Sequence, residues 1–139
     1  ALTRALRIAE GFPQPDPRLA ITLDFLATAE FDRDPRRAEA LMERAVDSLA
    51  RNFPPGDLRL AVFSVYLAQI RLRLGRYRSA LDLVDAALPA LIAHAAATRI
   101  DQALRIRVAA LKDLGREAEA ARAAIDSRAW ANYVTGHGP

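Results

Sequence analysis

The chain has no cysteine, which excludes disulfides, thiolate metal ligands and a cysteine nucleophile. Aromatic residues make up only 6% of it, and alanine and leucine dominate the apolar residues. Because alanine and leucine favour helices, this composition predicts helix rather than strand. No apolar run reaches the roughly 18 residues of a membrane span, since the longest, 86–93, is interrupted by Pro89. We therefore expect no membrane partner and a cytoplasmic location.

Residue patterns that carry catalysis or bind metals are also missing. The two histidines, His94 and His137, lie far apart, and neither has a carboxylate or a second histidine at metal-ligand spacing. The six glycines form no phosphate-binding or dinucleotide-binding pattern. No acidic pair converges in a way that suggests acid–base chemistry. We predict a protein that is not an enzyme and that uses no cofactor and no metal.

The sequence does contain an internal repeat. The segment LGRYRSALDLV from Leu74 returns from Leu114 as LGREAEAARAA, 40 residues later. Likewise, FPQPDPRLA from Phe12 recurs from Phe53 as FPPGDLRLA, 41 residues later. A period near 40 indicates stacked structural units that bury one another's apolar faces.

The helix boundaries follow from capping residues and helix breakers. Asp16-Pro17 and Asp34-Pro35 place a capping carboxylate before a proline at the first helical position. Gly75 and Gly115 end stretches in which apolar residues recur at helical spacing. The short turns predict antiparallel neighbours, and Pro89 is expected to kink or shorten the fifth helix. Seven helices are predicted, at residues 1–11, 17–31, 35–51, 58–74, 77–93, 99–114 and 117–128.

Residues 61–87 resemble a tetratricopeptide repeat. Leu67-Ala68 matches the large–small pair of the first helix, and Leu74-Gly75-Arg76-Tyr77 matches the turn that follows it. Ala80 and Ala87 match the small positions of the second helix, where two helices cross too closely for more than a methyl group. The long period and the FPPGDLRLA linker are similar to the kinesin-light-chain-like variety, with repeats of about 42 residues.

This resemblance implies an all-α fold, an α-α superhelix built as a solenoid of antiparallel helix hairpins. The solenoid would cover 1–128, with a half repeat at 1–11 and repeats at 17–51, 58–93 and 99–128. Residues 129–139 would form a C-terminal cap or tail, in which Trp130 and Tyr133 either cover the end of the solenoid or dock on another domain or a second copy. Because Ala1 rather than a methionine opens the chain, we expect a segment of a longer, bacterial protein.

In the family that the chain resembles, the first helices of successive repeats line a concave face. The repeat register would place Phe31 on that face, together with eight candidate ligand contacts: Asp24, Thr28, Tyr66, Gln69, Arg73, Gln102, Arg105 and Lys112. Amide, aromatic and guanidinium groups at repeat intervals can hold an extended or helical peptide. For each of these residues the alternative is an ordinary solvated helix face.

Basic residues cluster at the turns within the repeats. This basic edge consists of Arg33, Arg36, Arg37, Arg71, Arg73, Arg76, Arg78, Lys112 and Arg116. Two interpretations stay open: the cations complement the helix dipoles, or they bind an acidic protein partner. A net charge of +3 without interleaved aromatic residues argues against nucleic acid.

The resemblance implies a protein- or peptide-binding scaffold within a larger signalling or regulatory protein. One alternative is a structural module that forms homo-oligomers through the half repeat, whose Leu2, Leu6 and Ile8 lack a partner helix. Another is an accessory segment that positions substrate for a separate catalytic domain, such as a Ser/Thr kinase.

Overall fold

Seven α-helices make up the secondary structure of the computed structural model, which describes residues 2–11 and 17–137. In chain order they are α1 Leu2–Glu10, α2 Pro17–Glu30, α3 Pro35–Asn52, α4 Leu58–Arg73, α5 Tyr77–Ala93, α6 Ala97–Asp113 and α7 Glu117–His137. No strand occurs in these residues.

Each helix packs on the helix before it and the helix after it, and α4 also packs on α6. The helices therefore form hairpins, α2–α3, α4–α5 and α6–α7, stacked along the chain with α1 at one end. This is the all-α superhelical arrangement that the sequence predicts.

The apolar core runs through the stack as three successive clusters. The first joins α2 and α3 to Leu67 and Ile70 of α4, the second joins α4, α5 and α6, and the third joins Leu81 of α5 to α6 and α7. Each cluster thus fastens one hairpin to the next, as expected of a repeat array. Alanines with at most 4% exposure recur where helices meet, among them Ala68, Ala80 and Ala87.

Carboxylate caps begin α3 and α4. Asp34 precedes Pro35 and accepts a hydrogen bond from the Arg37 backbone N–H, and Asp57 accepts from the backbone N–H groups of Arg59 and Leu60. These bonds satisfy donors that have no partner within the helix. Asp34-Pro35 is confirmed as a helix start, whereas Asp16 lies outside the described residues.

The three helices α4, α5 and α6 end in the same way. After α4, the Gly75 N–H donates to the Leu72 carbonyl and the Arg76 N–H to the Arg71 carbonyl. The same two bonds recur after α5 and after α6, so each helix ends in a Schellman motif. Gly75 and Gly115 hold the left-handed position with φ of 78° and 75°, but Ala95 holds it after α5 with φ of 52°.

Two predicted boundaries were wrong. Helix α6 begins at Ala97 rather than 99, and α7 continues to His137 instead of ending at 128 before a cap or tail. The added residues of α7 include no proline and no glycine before Gly136, so nothing in them interrupts the helix. Helix α5 spans Tyr77–Ala93, the predicted bounds, and continues through Pro89, so the expected shortening at this proline does not occur.

Trp130, on the extended part of α7, closes one end of the second core cluster. Its ring packs on that cluster and its Nε1–H donates to the Ala97 carbonyl over 3.3 Å. The ring of Tyr133 stacks on it with centroids 5.6 Å apart. Trp130 therefore covers the start of α6 from within a helix. Residues 138–139 and the side chain of His137 lie outside the described part.

Helix α1 packs its inner side on the first hairpin. Ala9 is buried, Leu6 packs on the first core cluster, and a Glu10 carboxylate oxygen lies 2.9 Å from Arg44 Nη2 of α3. Ile8 remains 58% exposed, and the side chain of Leu2 is outside the described residues. The half repeat thus has one packed side and one exposed side.

Candidate functional site

A groove crosses the face that α2, α4 and α6 share. It contains a cavity of about 370 Å³, near the lower end of the range for ligand sites. Three helices line it, together with the α2–α3 turn and one residue of α3. The lining residues are Asp24, Ala27, Thr28, Phe31, Asp32, Met42, Tyr66, Gln69, Ile70 and Gln102.

Helical spacing brings these side chains together. Asp24 and Thr28 are four apart on α2, and residues at such an interval share one face of a helix; Phe31 follows three residues later, in the turn after α2. Tyr66 and Gln69 are likewise three apart on α4, and Gln102 enters from α6. The groove therefore depends on the first helices of the three hairpins, α2, α4 and α6, lying side by side.

Tyr66 is the aromatic wall on α4. It packs on the first core cluster, and its ring lies 5.6 Å from that of Phe63 between centroids. The guanidinium carbon of Arg99, on α6, stands 5.0 Å from the Tyr66 ring centroid, within cation–π range. Arg99 Nη1 also donates to Gln102 Oε1 over 2.8 Å. These contacts hold the Tyr66 ring of α4 and the Gln102 amide of α6 in position.

Asp24 is the half-buried carboxylate of the groove. Its pKa is raised above the ordinary value, because burial disfavours the charged form. A hydrogen bond from Thr28 Oγ1, 3.5 Å from Asp24 Oδ1, and the charge of Arg99 oppose that rise but are smaller effects. The protein thus keeps a partly desolvated carboxylate that its own cations do not fully compensate.

Five of the eight predicted contact residues lie together in the groove: Asp24, Thr28, Tyr66, Gln69 and Gln102. Phe31, also placed on this face, lines it too. Arg73 stands beside it, with its guanidinium carbon 5.7 Å from the Phe31 ring centroid. Arg105 instead pairs with Asp101 on its own helix, and Lys112 does not line the cavity.

Sequence reasoning missed several groove residues. Ala27, Met42 and Ile70 form its apolar floor, Asp32 comes from the turn after α2, and Arg99 reaches Tyr66 from α6. For the apolar residues Ala27, Met42 and Ile70, the sequence pattern predicts only a place in the core. For Asp32 and Arg99 no sequence signal exists, because their position depends on how separate helices cross.

The basic edge is partly neutralised by carboxylates of the same chain. Glu39 of α3 is 8% exposed, and its two oxygens lie 3.3 Å from Arg71 Nε and 2.9 Å from Arg76 Nη1. Arg71 also pairs with Glu43 and donates to Ser79 Oγ. These contacts tie α3 of one hairpin to the next hairpin.

Elsewhere along the edge, Arg33 pairs with Glu30 and Arg116 with Glu119. Four of the nine edge cations therefore have carboxylate partners within the chain. For these four cations, the observed pairs favour a structural role over binding of an acidic partner.

Two searches of the described residues, 2–11 and 17–137, bear on other functions. No group of three or more histidine, aspartate or glutamate side chains there could hold a metal ion. None of the helices in that part combines the length and the apolar character needed to cross a membrane.

Comparison with protein-family models gives no match. Comparison with curated proteins gives none either. The case for a function therefore depends on the geometry of this chain.

Proposed function

We propose that this chain is a tetratricopeptide-type repeat module that binds a peptide segment of a protein partner in the α2–α4–α6 groove and has no catalytic role. The observation that carries the proposal is the convergence of Asp24, Thr28, Tyr66, Gln69 and Gln102 on one cavity. These residues come from three helices spread over nearly 80 positions of the chain.

The chemistry of the groove suits a peptide. Gln69 and Gln102 supply amides, which can both donate to and accept from a peptide backbone. The apolar floor can take a side chain, and the Tyr66 ring offers large contact area at low entropic cost. A concave site with an apolar floor and a few fixed polar groups is typical of binding sites.

A selected peptide provides the test. Binders are selected from a random 12-residue peptide library on the immobilised chain. The selected peptides are labelled with a fluorophore, and fluorescence anisotropy measures their affinity for the wild type and for Thr28→Trp. Thr28 is exposed and lines the groove, so an indole there fills the cavity without disturbing the core. We expect at least about a tenfold loss of affinity.

Ala40→Trp is the matched control, because Ala40 is exposed on α3 and does not line the groove. It should bind the peptides as wild type does. Peptides that bind both variants equally well would show that the groove is not the binding site. Circular dichroism of both variants confirms that they are folded.

Self-assembly is the second candidate function, favoured by a specific observation. Ile21 and Phe25 lie four residues apart on α2 and are 46% and 59% exposed. Phe25 precedes Tyr66 by 41 residues, the period of the linker repeat, and Tyr66 packs on the preceding hairpin. The exposed Phe25 therefore occupies on α2 the position by which α4 packs on the preceding hairpin, and Ile21 lies one turn away on the same face.

A further inference from the structure

We propose that the α2–α4–α6 groove receives a basic side chain, lysine or arginine, from its peptide ligand. This inference rests on the proposed function and names the chemistry of that ligand. The charged side chains that line the cavity, among the described residues, are Asp24 and Asp32. The occupant is thus inferred from charge complementarity.

Both carboxylates are available to a cation. No ion pair of the described residues includes Asp24 or Asp32. Thr28 donates one long hydrogen bond to Asp24, and no other donor to that carboxylate occurs among the described residues. A partly desolvated carboxylate interacts more strongly with a ligand charge than one in bulk water does.

The neighbouring arginines do not form ion pairs with these two carboxylates. Arg99 is directed to Gln102 and to the Tyr66 ring, and Arg73 stands over Phe31. The effect of Arg99 on Asp24 is the smallest of the influences on that carboxyl, and burial outweighs it. The groove therefore keeps an uncompensated negative site despite the net positive charge of the chain.

The other walls suit the stem of a basic residue. Ala27, Met42 and Ile70 form an apolar floor against which methylene groups can pack. Phe31 and Tyr66 add aromatic surface to this lining, against which the methylene groups can also pack. An acidic side chain would meet Asp24 and Asp32 at close range and be repelled.

The test uses blocked amino acids as probes with the full chain. N-acetyl methylamides of lysine, arginine, norleucine and glutamate are titrated while the side-chain amide N–H signals of Gln69 and Gln102 are followed by NMR. We expect the lysine and arginine probes to bind about tenfold more tightly than norleucine, because only they can pair with the two carboxylates. Glutamate should bind more weakly than norleucine.

The double variant Asp24→Asn with Asp32→Asn should reduce lysine binding to the level of norleucine. Asp47→Asn with Asp113→Asn is the matched control, because both residues are exposed and neither lines the groove. The control should preserve the preference for lysine and arginine.

Equal binding of lysine and norleucine, tightest binding of glutamate, or a preference that survives the double variant would overturn the inference. So would unchanged Gln69 and Gln102 signals at the highest lysine and arginine concentrations. The proposed function is tested separately by the selected peptides. Peptides that lose affinity on Thr28→Trp, while showing no dependence on a basic residue, would overturn the basic-residue inference alone.

Discussion

Asp24 shows how a residue that we propose to bind a ligand can work against the stability of its own fold. Its carboxylate is half-buried and has one long hydrogen bond, so ionisation is less favourable in the folded chain than in water. Groups of this kind are kept at functional sites even though a neutral replacement would be more stable.

Replacing Asp24 with asparagine should therefore stabilise the protein at pH 7. Because the pKa of Asp24 is raised on folding, protonation favours the folded state. The stability that Asp24 contributes is fully present below its unfolded pKa, and it is lost as the pH rises through the higher folded pKa. We expect Asp24→Asn to raise Tm by up to about 4 °C, since the group remains half solvated.

Thermal unfolding of both proteins at pH 7 and at pH 3.5 checks this prediction. The advantage of the asparagine variant should be present at pH 7 and shrink at pH 3.5. Asp47→Asn, which removes the same charge at an exposed position of α3, should change Tm less. A variant less stable than wild type at pH 7 would contradict the interpretation.

At the scale of the element, the turns after α4, α5 and α6 share a backbone geometry but differ in sequence. Gly75 and Gly115 adopt the left-handed conformation without steric conflict, whereas Ala95 adopts it with a Cβ. An L-residue in this region is disfavoured by about 1–2 kcal/mol. The α5–α6 turn is therefore the strained one of the three.

Ala95→Gly should stabilise the fold, and Gly115→Ala should destabilise it. Relief of the Cβ conflict is partly offset by the greater freedom of glycine in the unfolded chain, so we expect a gain of up to about 1 kcal/mol from Ala95→Gly. A Cβ on Gly115 would meet nothing within 4 Å, so its cost of about 1 kcal/mol comes from the backbone alone.

Urea denaturation of the two variants and wild type measures both changes. Opposite signs are the expected result. If both substitutions destabilise by the same amount, the left-handed strain at Ala95 is not significant. Ala97→Gly, in the first turn of α6, serves as the control. It increases the conformational freedom of the unfolded chain without relieving left-handed strain.

At the scale of the whole molecule, the two ends of the stack differ. Trp130 covers the α6 end, but Ile21 and Phe25 leave an apolar face open on α2. An array of hairpins has no other way to bury such a face than to stack another unit on it. An exposed pair of large apolar residues four apart on one helix is a candidate contact surface.

We therefore expect the chain to self-associate reversibly in solution through this face. In sedimentation velocity over a range of concentrations, the sedimentation coefficient of the wild type should increase with concentration. Phe25→Glu should remain a monomer. Ile92→Glu is the control, because Ile92 is equally exposed at the end of α5 and away from that face. A wild-type chain that stays monomeric at the highest concentration, or an equal effect of both variants, would contradict the expectation.

The sequence by itself determined the helices and their order. Helix bounds depend on local hydrogen bonds, caps and spacing, which is why α5 was predicted at its observed bounds and α2 and α4 within one residue. It also placed Asp24, Tyr66 and Gln102 on corresponding helix faces, because the repeat carries that register.

Only the tertiary structure decided which of these faces meet. Asp32 lines the groove and Arg99 reaches Tyr66 because elements distant in sequence cross at particular points. The pairing of Arg71 and Arg76 with Glu39 likewise spans two hairpins. Contacts between residues more than 30 positions apart depend on packing geometry, which a local pattern does not contain.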